Sequence, residues 1–353
     1  MSSPERIPTP EAETKPRIAF GFYHPETILT NEEIESWGVT TASGGLLTSE
    51  AIFKKTGVEG RFIAKKEDIV LMGLKAASQI LERVESKFDF LIFSTTYPTG
   101  EHLSTEASCF VKPSLFKTLD IHAACSGFVY AFDYIREYED WFQGKRVLIV
   151  SAEKISPTVP DLKNREEDPS LSQTIFSDGA VAVSFVYGRD LKILAIKNYE
   201  FNLEESRTLK IPVDYDLIYQ SGRFGKVKFI WGPTPDGDKI EMDGKGVYEA
   251  VVRKMPGLIT DTVFSAGLTF SNVSLIIPHQ ASRHILDGIV KRLPPNLADK
   301  IFYDVQDGNL SSAAVPKAWM RAQEEGKIKS GDKIVLATVG GGLFASIAVL
   351  EVS

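Results

Sequence analysis

Cysteine is scarce: the 353 residues hold two, Cys109 and Cys125. So few build no disulfide framework, and they fit a reducing compartment. No apolar run reaches the roughly 18–20 residues that a membrane-spanning helix needs. Basic residues are outnumbered, 40 Lys and Arg against 47 Asp and Glu, for a formal net charge of −7. That balance argues against nucleic acid as the main partner. Residues 1–15 carry Pro4, Pro8 and Pro10 among Glu and Thr, without an apolar signal-peptide core. They read as a disordered tail, and a cytoplasmic location is expected.

What is present is an ordinary globular composition, 43% hydrophobic and 25% charged, in a chain long enough to bury a large core. Thr30-Asn31-Glu32-Glu33 predicts a helix start with Asn31 as the cap. Ser49 to Lys55 predicts a helix ended by Gly57, and Ile69 to Val84 carries apolar residues at helical spacing. Phe88–Thr95 and Arg146–Ala152 are near-continuous apolar runs, the mark of strands buried on both faces. Ser104 to Phe110 reads as helix. Strands alternate with helices throughout, so the class is α/β.

Three polar residues share one setting, the end of an apolar strand or the start of a helix: Cys125, His279 and Asn309. A thiol at the first turn of a buried helix meets unpaired N–H groups and the positive end of the dipole, both of which favour the thiolate. Each residue alone also has a plain explanation. Cys125 could be a small core hydrophobe, His279 a satisfied core histidine, Asn309 a turn residue or helix cap. Together they supply a nucleophile, two side-chain donors and free backbone N–H groups, the parts needed for acyl transfer.

Five segments come in the order seen in β-ketoacyl-acyl-carrier-protein synthase III (KAS III), which the chain resembles. They are Ala123-Ala124-Cys125-Ser126-Gly127-Phe128, Ser177-Asp178-Gly179-Ala180, Pro278-His279-Gln280-Ala281, Gly308-Asn309-Leu310-Ser311-Ser312-Ala313 and Gly340-Gly341-Gly342. Lys55-Thr56-Gly57-Val58-Glu59-Gly60-Arg61 also looks like that family. The resemblance implies a thiolase fold, two similar αβ halves in a five-layered αβαβα sandwich, normally a homodimer. Residues 16–190 would form the half bearing Cys125, and residues 191–353 the half bearing His279 and Asn309. It further implies that Cys125 takes an acyl group from a thioester and that the N–H groups of Cys125 and Gly342 form the oxyanion hole. His279 and Asn309 would polarise the carbonyl of the second substrate for a Claisen condensation. No cofactor or metal is expected, since substrates arrive as thioesters of coenzyme A or acyl carrier protein. Arg283, Lys291 and Arg292 match or adjoin basic positions that would meet an acidic carrier protein.

The departures from the family are informative. Ala51 stands where the fatty-acid enzyme has a tryptophan that stacks on adenine, and His284 stands where an arginine is expected. Glu101 lies in the loop upstream of Cys125, with Glu106 nearby, and relatives that join two acyl chains are similar in placing a glutamate there. In an apolar tunnel such a carboxylate would have a raised pKa and could take an α-proton from a non-malonyl substrate, acting across the dimer. The reading is therefore a KAS III-like ketosynthase of secondary metabolism. The first alternative is the enzyme that initiates fatty-acid synthesis from acyl-coenzyme A and malonyl-carrier protein. An acyltransferase to oxygen or nitrogen, and a non-catalytic subunit on the same fold, are further alternatives.

Overall fold

The computed structural model describes residues 17–41, 43–83, 87–96, 103, 107–108, 117–164, 166, 168, 170–206, 208–210 and 239–353. The expected disordered tail, most of the helix expected at Ser104 to Phe110, and both Glu101 and Glu106 lie outside these residues.

The N-terminal sheet is built from β1 (Ala19–Tyr23), β4 (Phe90–Ser94), β5 (Lys117–Ile121), β6 (Arg146–Glu153) and β7 (Gly179–Val186), with a side hairpin of β2 (Ile28–Thr30) and β3 (Gly60–Phe62). Its order is β1-β7-β6-β4-β5. The apolar runs sit at its centre: every residue of β4 is buried, and β4 pairs in parallel with β5 and β6. The second sheet takes β8 (Leu191–Glu200), β11 (Leu275–Pro278), β12 (Lys333–Gly340) and β13 (Phe344–Val352), in the order β11-β12-β13-β8. Between β8 and β11 in sequence, β9 (Leu209–Lys210) and β10 (Glu241–Met242) form a small separate ribbon. Ile276 of β11 also makes a parallel bridge to Ile301, which supplies a fifth position at that edge. In chain order both sheets then run first, fifth, fourth, second, third. The molecule is an α/β protein of two similar halves.

The helices complete five layers. Of those longer than four residues among the described residues, the first three are α1 (Asn31–Ser36), α2 (Ser49–Thr56) and α3 (Ile69–Leu81). The next two are α4 (Gly127–Glu137) and α5 (Gly244–Ser265). The last are α6 (Arg283–Val290) and α7 (Ala314–Glu324). α3 covers the outer face of the first sheet, and α5 the outer face of the second. α4 and α7 lie between the sheets, where Phe128, Phe132 and Trp319 fill the central core. No helix among the described residues is long and apolar enough to cross a membrane.

Two local expectations resolve differently. α2 ends as predicted, on Gly57 in the left-handed region at φ 74°. The cap of α1, however, is Thr30, whose side chain accepts from the Glu33 N–H, while Asn31 is buried. The Asn31 amide instead donates to the Val58 carbonyl at 2.8 Å and accepts from buried Arg61. A long-range partner thus takes the residue that local propensity assigns to the cap.

Candidate active site

The nucleophile turn is set by packing. β5 ends at Ile121, and Ala124–Ser126 form one 3₁₀ turn before α4 opens at Gly127. Ala124 holds φ 43°, a strained value for a residue with a Cβ. A Cβ on Gly127 would lie 2.1 Å from Ser94 Oγ, so glycine lets α4 start this close to β4 without displacing the Ser94 hydroxyl. Cys125 is left buried, with its Sγ accepting from the Ser311 hydroxyl at 3.3 Å. The expected thiolate preference is reversed here. Burial, with the nearby Glu153 charge, pushes the Cys125 thiol up to about 12, against the pull of Ser311 and of its own N–H. A short turn does not offset removal from water.

His279 follows Pro278, the last residue of β11, and its N–H donates to the Ala337 carbonyl at 2.7 Å. Gln280 ties this corner down, donating to the Pro278 and Phe302 carbonyls and accepting from the Asp304 N–H at 2.7 Å. Burial lowers His279 to about 4, so its imidazole is neutral near pH 7. Its Nδ1 is buried without a hydrogen-bond partner.

Asn309 is held at both backbone ends. Its N–H donates to Ile175 O at 2.8 Å and its carbonyl accepts from Ser177 N at 3.0 Å. Gly308 makes this approach possible, with φ 80° and a position where a Cβ would sit 2.8 Å from Ile175 O. Asn309 Oδ1 accepts from Ser311 N at 2.8 Å, which fixes the amide and leaves its NH₂ as the donor. Two family segments prove to be scaffold for this strap. Arg61, buried and lowered to about 10 by burial, donates through Nε and Nη2 to Thr174 O. Asp178 accepts from the Ala64, Ile155 and Ser156 N–H groups.

A cavity of about 870 Å³ is lined by Cys125, His279 and Asn309 together. Apolar side chains such as Ile155, Phe176, Val251, Met255 and Ile289 make up much of the rest. Ala51, Lys55 and His284 also line it, with His284 stacked on Tyr248 at 4.3 Å between ring centroids. Arg283, Lys291 and Arg292 are exposed along and just past α6, where Arg283 lies over the Phe53 ring of α2 at 5.2 Å.

One expected donor is committed elsewhere. The Gly342 N–H donates to the Leu209 carbonyl at 2.9 Å, so in this structure it belongs to the β9 ribbon rather than to an oxyanion hole. Sequence reasoning also missed a buried group. Glu153, fully buried at the end of β6, accepts from Thr95 Oγ1, Thr96 N, Thr96 Oγ1, Ser312 N and Ser312 Oγ. Burial raises it to about 7. An acid directly after the apolar run Val147–Ala152 was the available signal.

The model for 3-oxoacyl-[acyl-carrier-protein] synthase III matches residues 119–198, and the model for its C-terminal part matches residues 263–352. A β-ketoacyl-[acyl-carrier-protein] synthase III of Aquifex aeolicus is 32% identical over 337 residues, 92% of this chain and 96% of that protein. The crystal structure of 3-oxoacyl-[acyl-carrier-protein] synthase III from Aquifex aeolicus superposes with a TM-score of 0.76 at 29% identity, covering 94% of this chain and 98% of that one. A priming β-ketosynthase from a polyketide biosynthetic pathway superposes with a TM-score of 0.75 at 25% identity, covering 98% and 99%. With this sequence match over almost its whole length, and with the thiolase fold, the chain belongs to the β-ketoacyl-[acyl-carrier-protein] synthase III family of condensing acyltransferases.

Proposed function

We propose that this enzyme loads an acyl group from a thioester onto Cys125 and condenses it with a malonyl thioester carried by acyl carrier protein. The observation that carries the reading is that Cys125, His279 and Asn309 line one largely apolar cavity together. The relatives named for β-ketoacyl-carrier-protein synthesis favour this reaction over the secondary-metabolic one expected from the loop glutamate.

In the first half-reaction Cys125 Sγ attacks the acyl carbonyl and the donor thiol leaves. In the second, the malonyl carboxylate departs as CO₂ and its electron pair passes to the thioester enolate. The neutral His279 imidazole and the Asn309 NH₂ donate to that enolate oxygen. The carbanion attacks the acyl carbon, and the bond to Cys125 breaks. An apolar surround destabilises the malonyl carboxylate relative to the departing CO₂. Arg283, next in sequence to the cavity residue His284, and Lys291 and Arg292 at the other end of α6 are exposed and suit an acidic carrier protein. A homodimer is part of the same proposal.

The size and apolar lining of the cavity favour a second reading, condensation of two acyl chains with Glu101 of one subunit as base in the other. One experiment separates them. Acyl thioesters of increasing length, on coenzyme A and on carrier protein, are supplied with and without malonyl-carrier protein, and products are followed by mass spectrometry. A β-ketoacyl product formed only with malonyl-carrier protein is expected. A product joining two acyl chains without it, abolished in Glu101→Gln, would overturn the first reading for the second.

A further inference from the structure

We propose that Glu153 is the internal acceptor of the Cys125 thiol proton, reached through the hydroxyls of Ser311 and Thr96. The inference rests on the acyl-transfer reading of Cys125. Three links make the path. Ser311 Oγ lies 3.3 Å from Cys125 Sγ, Thr96 Oγ1 lies 2.6 Å from Ser311 Oγ, and Glu153 Oε1 lies 3.0 Å from Thr96 Oγ1. All four residues are buried, and every side chain between sulfur and carboxylate can both give and take a proton.

Charge explains why the proton stays inside. A thiol that lost its proton to solvent would leave a thiolate and a carboxylate together in one buried site, a costly pair. Passing the proton to Glu153 keeps a single negative charge there throughout. Among the described residues, every hydrogen bond that Glu153 accepts comes from a neutral donor, so none of their cations competes with the proton. Other titratable groups nearby have other roles. Asp178, beside β7, is held by Ala64, Ile155 and Ser156, and the Lys154 amine donates to the Glu67 carbonyl. His122, before the nucleophile turn, and His279 in the cavity are both lowered by burial and neutral.

The step balances. For transfer the Ser311 hydroxyl turns from Sγ to donate to Thr96 Oγ1, which leaves Ser311 Oγ to accept from the thiol S–H. As the bond from Sγ to the acyl carbon forms, the thiol proton moves to Ser311 Oγ, the Ser311 proton to Thr96 Oγ1, and the Thr96 proton to Glu153 Oε1. When the tetrahedral intermediate collapses, the bond to the donor sulfur breaks and that sulfur keeps the electron pair. The reverse shuttle then delivers a proton from the Ser311 hydroxyl to the departing thiolate. The products are acyl-Cys125 and a free donor thiol, with the relay reset.

The test is the pH profile of Cys125 alkylation by iodoacetamide, read by peptide mass, which needs no acyl donor. In the wild type the rate should rise through a midpoint near pH 7 and then level off, because above it the site holds one shared proton. In Glu153→Gln that inflection should vanish, leaving a rise of about tenfold per pH unit through the same range. A wild-type profile without the inflection, or a Glu153→Gln profile that superposes on it, overturns the relay. Should Glu153→Gln fail to fold, Thr96→Val and Ser311→Ala decide. Each cuts the path but keeps the carboxyl, so Cys125 acylation should slow by about 10²-fold while the alkylation inflection remains. Unchanged acylation rates in both would overturn the proposal. If no thioester acylates the wild type, the acyl-transfer reading has failed, and the alkylation profile still judges the Glu153–Cys125 coupling.

Discussion

At the scale of single residues, Asn309 shows how much chemistry can rest on one orientation. Its Oδ1 is fixed by the Ser311 N–H, so the NH₂ is presented without a reorganisation cost when charge develops on the substrate. Asn309→Ala should therefore lose about 3–4 kcal/mol of transition-state stabilisation, a fall in kcat of roughly 10²–10³-fold. Cys125 acylation should remain, since Asn309 serves the second half-reaction. Burst acylation measured beside malonyl decarboxylation checks both parts, and equal losses in the two would contradict the assignment. The side chains that meet at this cavity were legible in the sequence because Cys125, His279 and Asn309 each interrupt an apolar or small-residue run. Glu153 was not, since an acid at a strand end is commonplace until the fold buries it. The thiol's raised pKa was likewise hidden, because a sequence shows the helix start but not the depth of burial.

At the scale of elements, the site depends on straps that join distant segments. Lys317 on α7 is 1% exposed and binds Asp304 at 2.9 Å and Asp307 at 2.7 Å, on the stretch leading to Asn309. Asp304 in turn donates its N–H to Gln280, next to His279. One buried ammonium therefore positions the loops that carry both donors. Lys317→Ala should cost about 3–5 kcal/mol, because it leaves a buried carboxylate without its counter-charge. Adding Asp304→Asn should recover part of that loss, as chemical denaturation of the single and double variants would show. Arg61 does the same for the other side of the strap. Arg61→Leu leaves the Asn31 amide and the Thr174 carbonyl short of a partner, at a cost of about 1–3 kcal/mol for each unsatisfied group. The elements themselves were largely legible, because buried strands and capped helices have local signatures. The pairing of Ala19 with Ser184, or of Phe176 with Asn309, has none. For the same reason Asn31 read as a cap and Gly342 as a free amide: each is claimed by a partner far along the chain.

At the scale of the whole molecule, the active site sets how folding stability responds to pH, with two groups of opposite sign. His279 falls from 6.5 to about 4 on folding. Its contribution is full above pH 6.5 and is lost as pH falls through 4, since the unfolded chain then binds the extra proton. Glu153 rises from 4.5 to about 7, so its contribution is full below pH 4.5 and is lost as pH rises through 7. Each shift corresponds to about 3 kcal/mol across its window. Between pH 4.5 and 6.5 the two oppose one another, and the wild-type profile alone hides both. Difference profiles expose them. Relative to the wild type, His279→Gln should gain about 3 kcal/mol as pH falls from 7 to 4, because the variant no longer carries a group that the folded state keeps neutral. Glu153→Gln should gain on the wild type in the other direction, as pH rises from 4.5 to 7. Urea denaturation of the three proteins at half-unit pH intervals measures both slopes. A His279→Gln difference that stays flat across the window would mean that the imidazole titrates as it does in water. The neutral donor invoked for the condensation would then be a cation over much of the acid range.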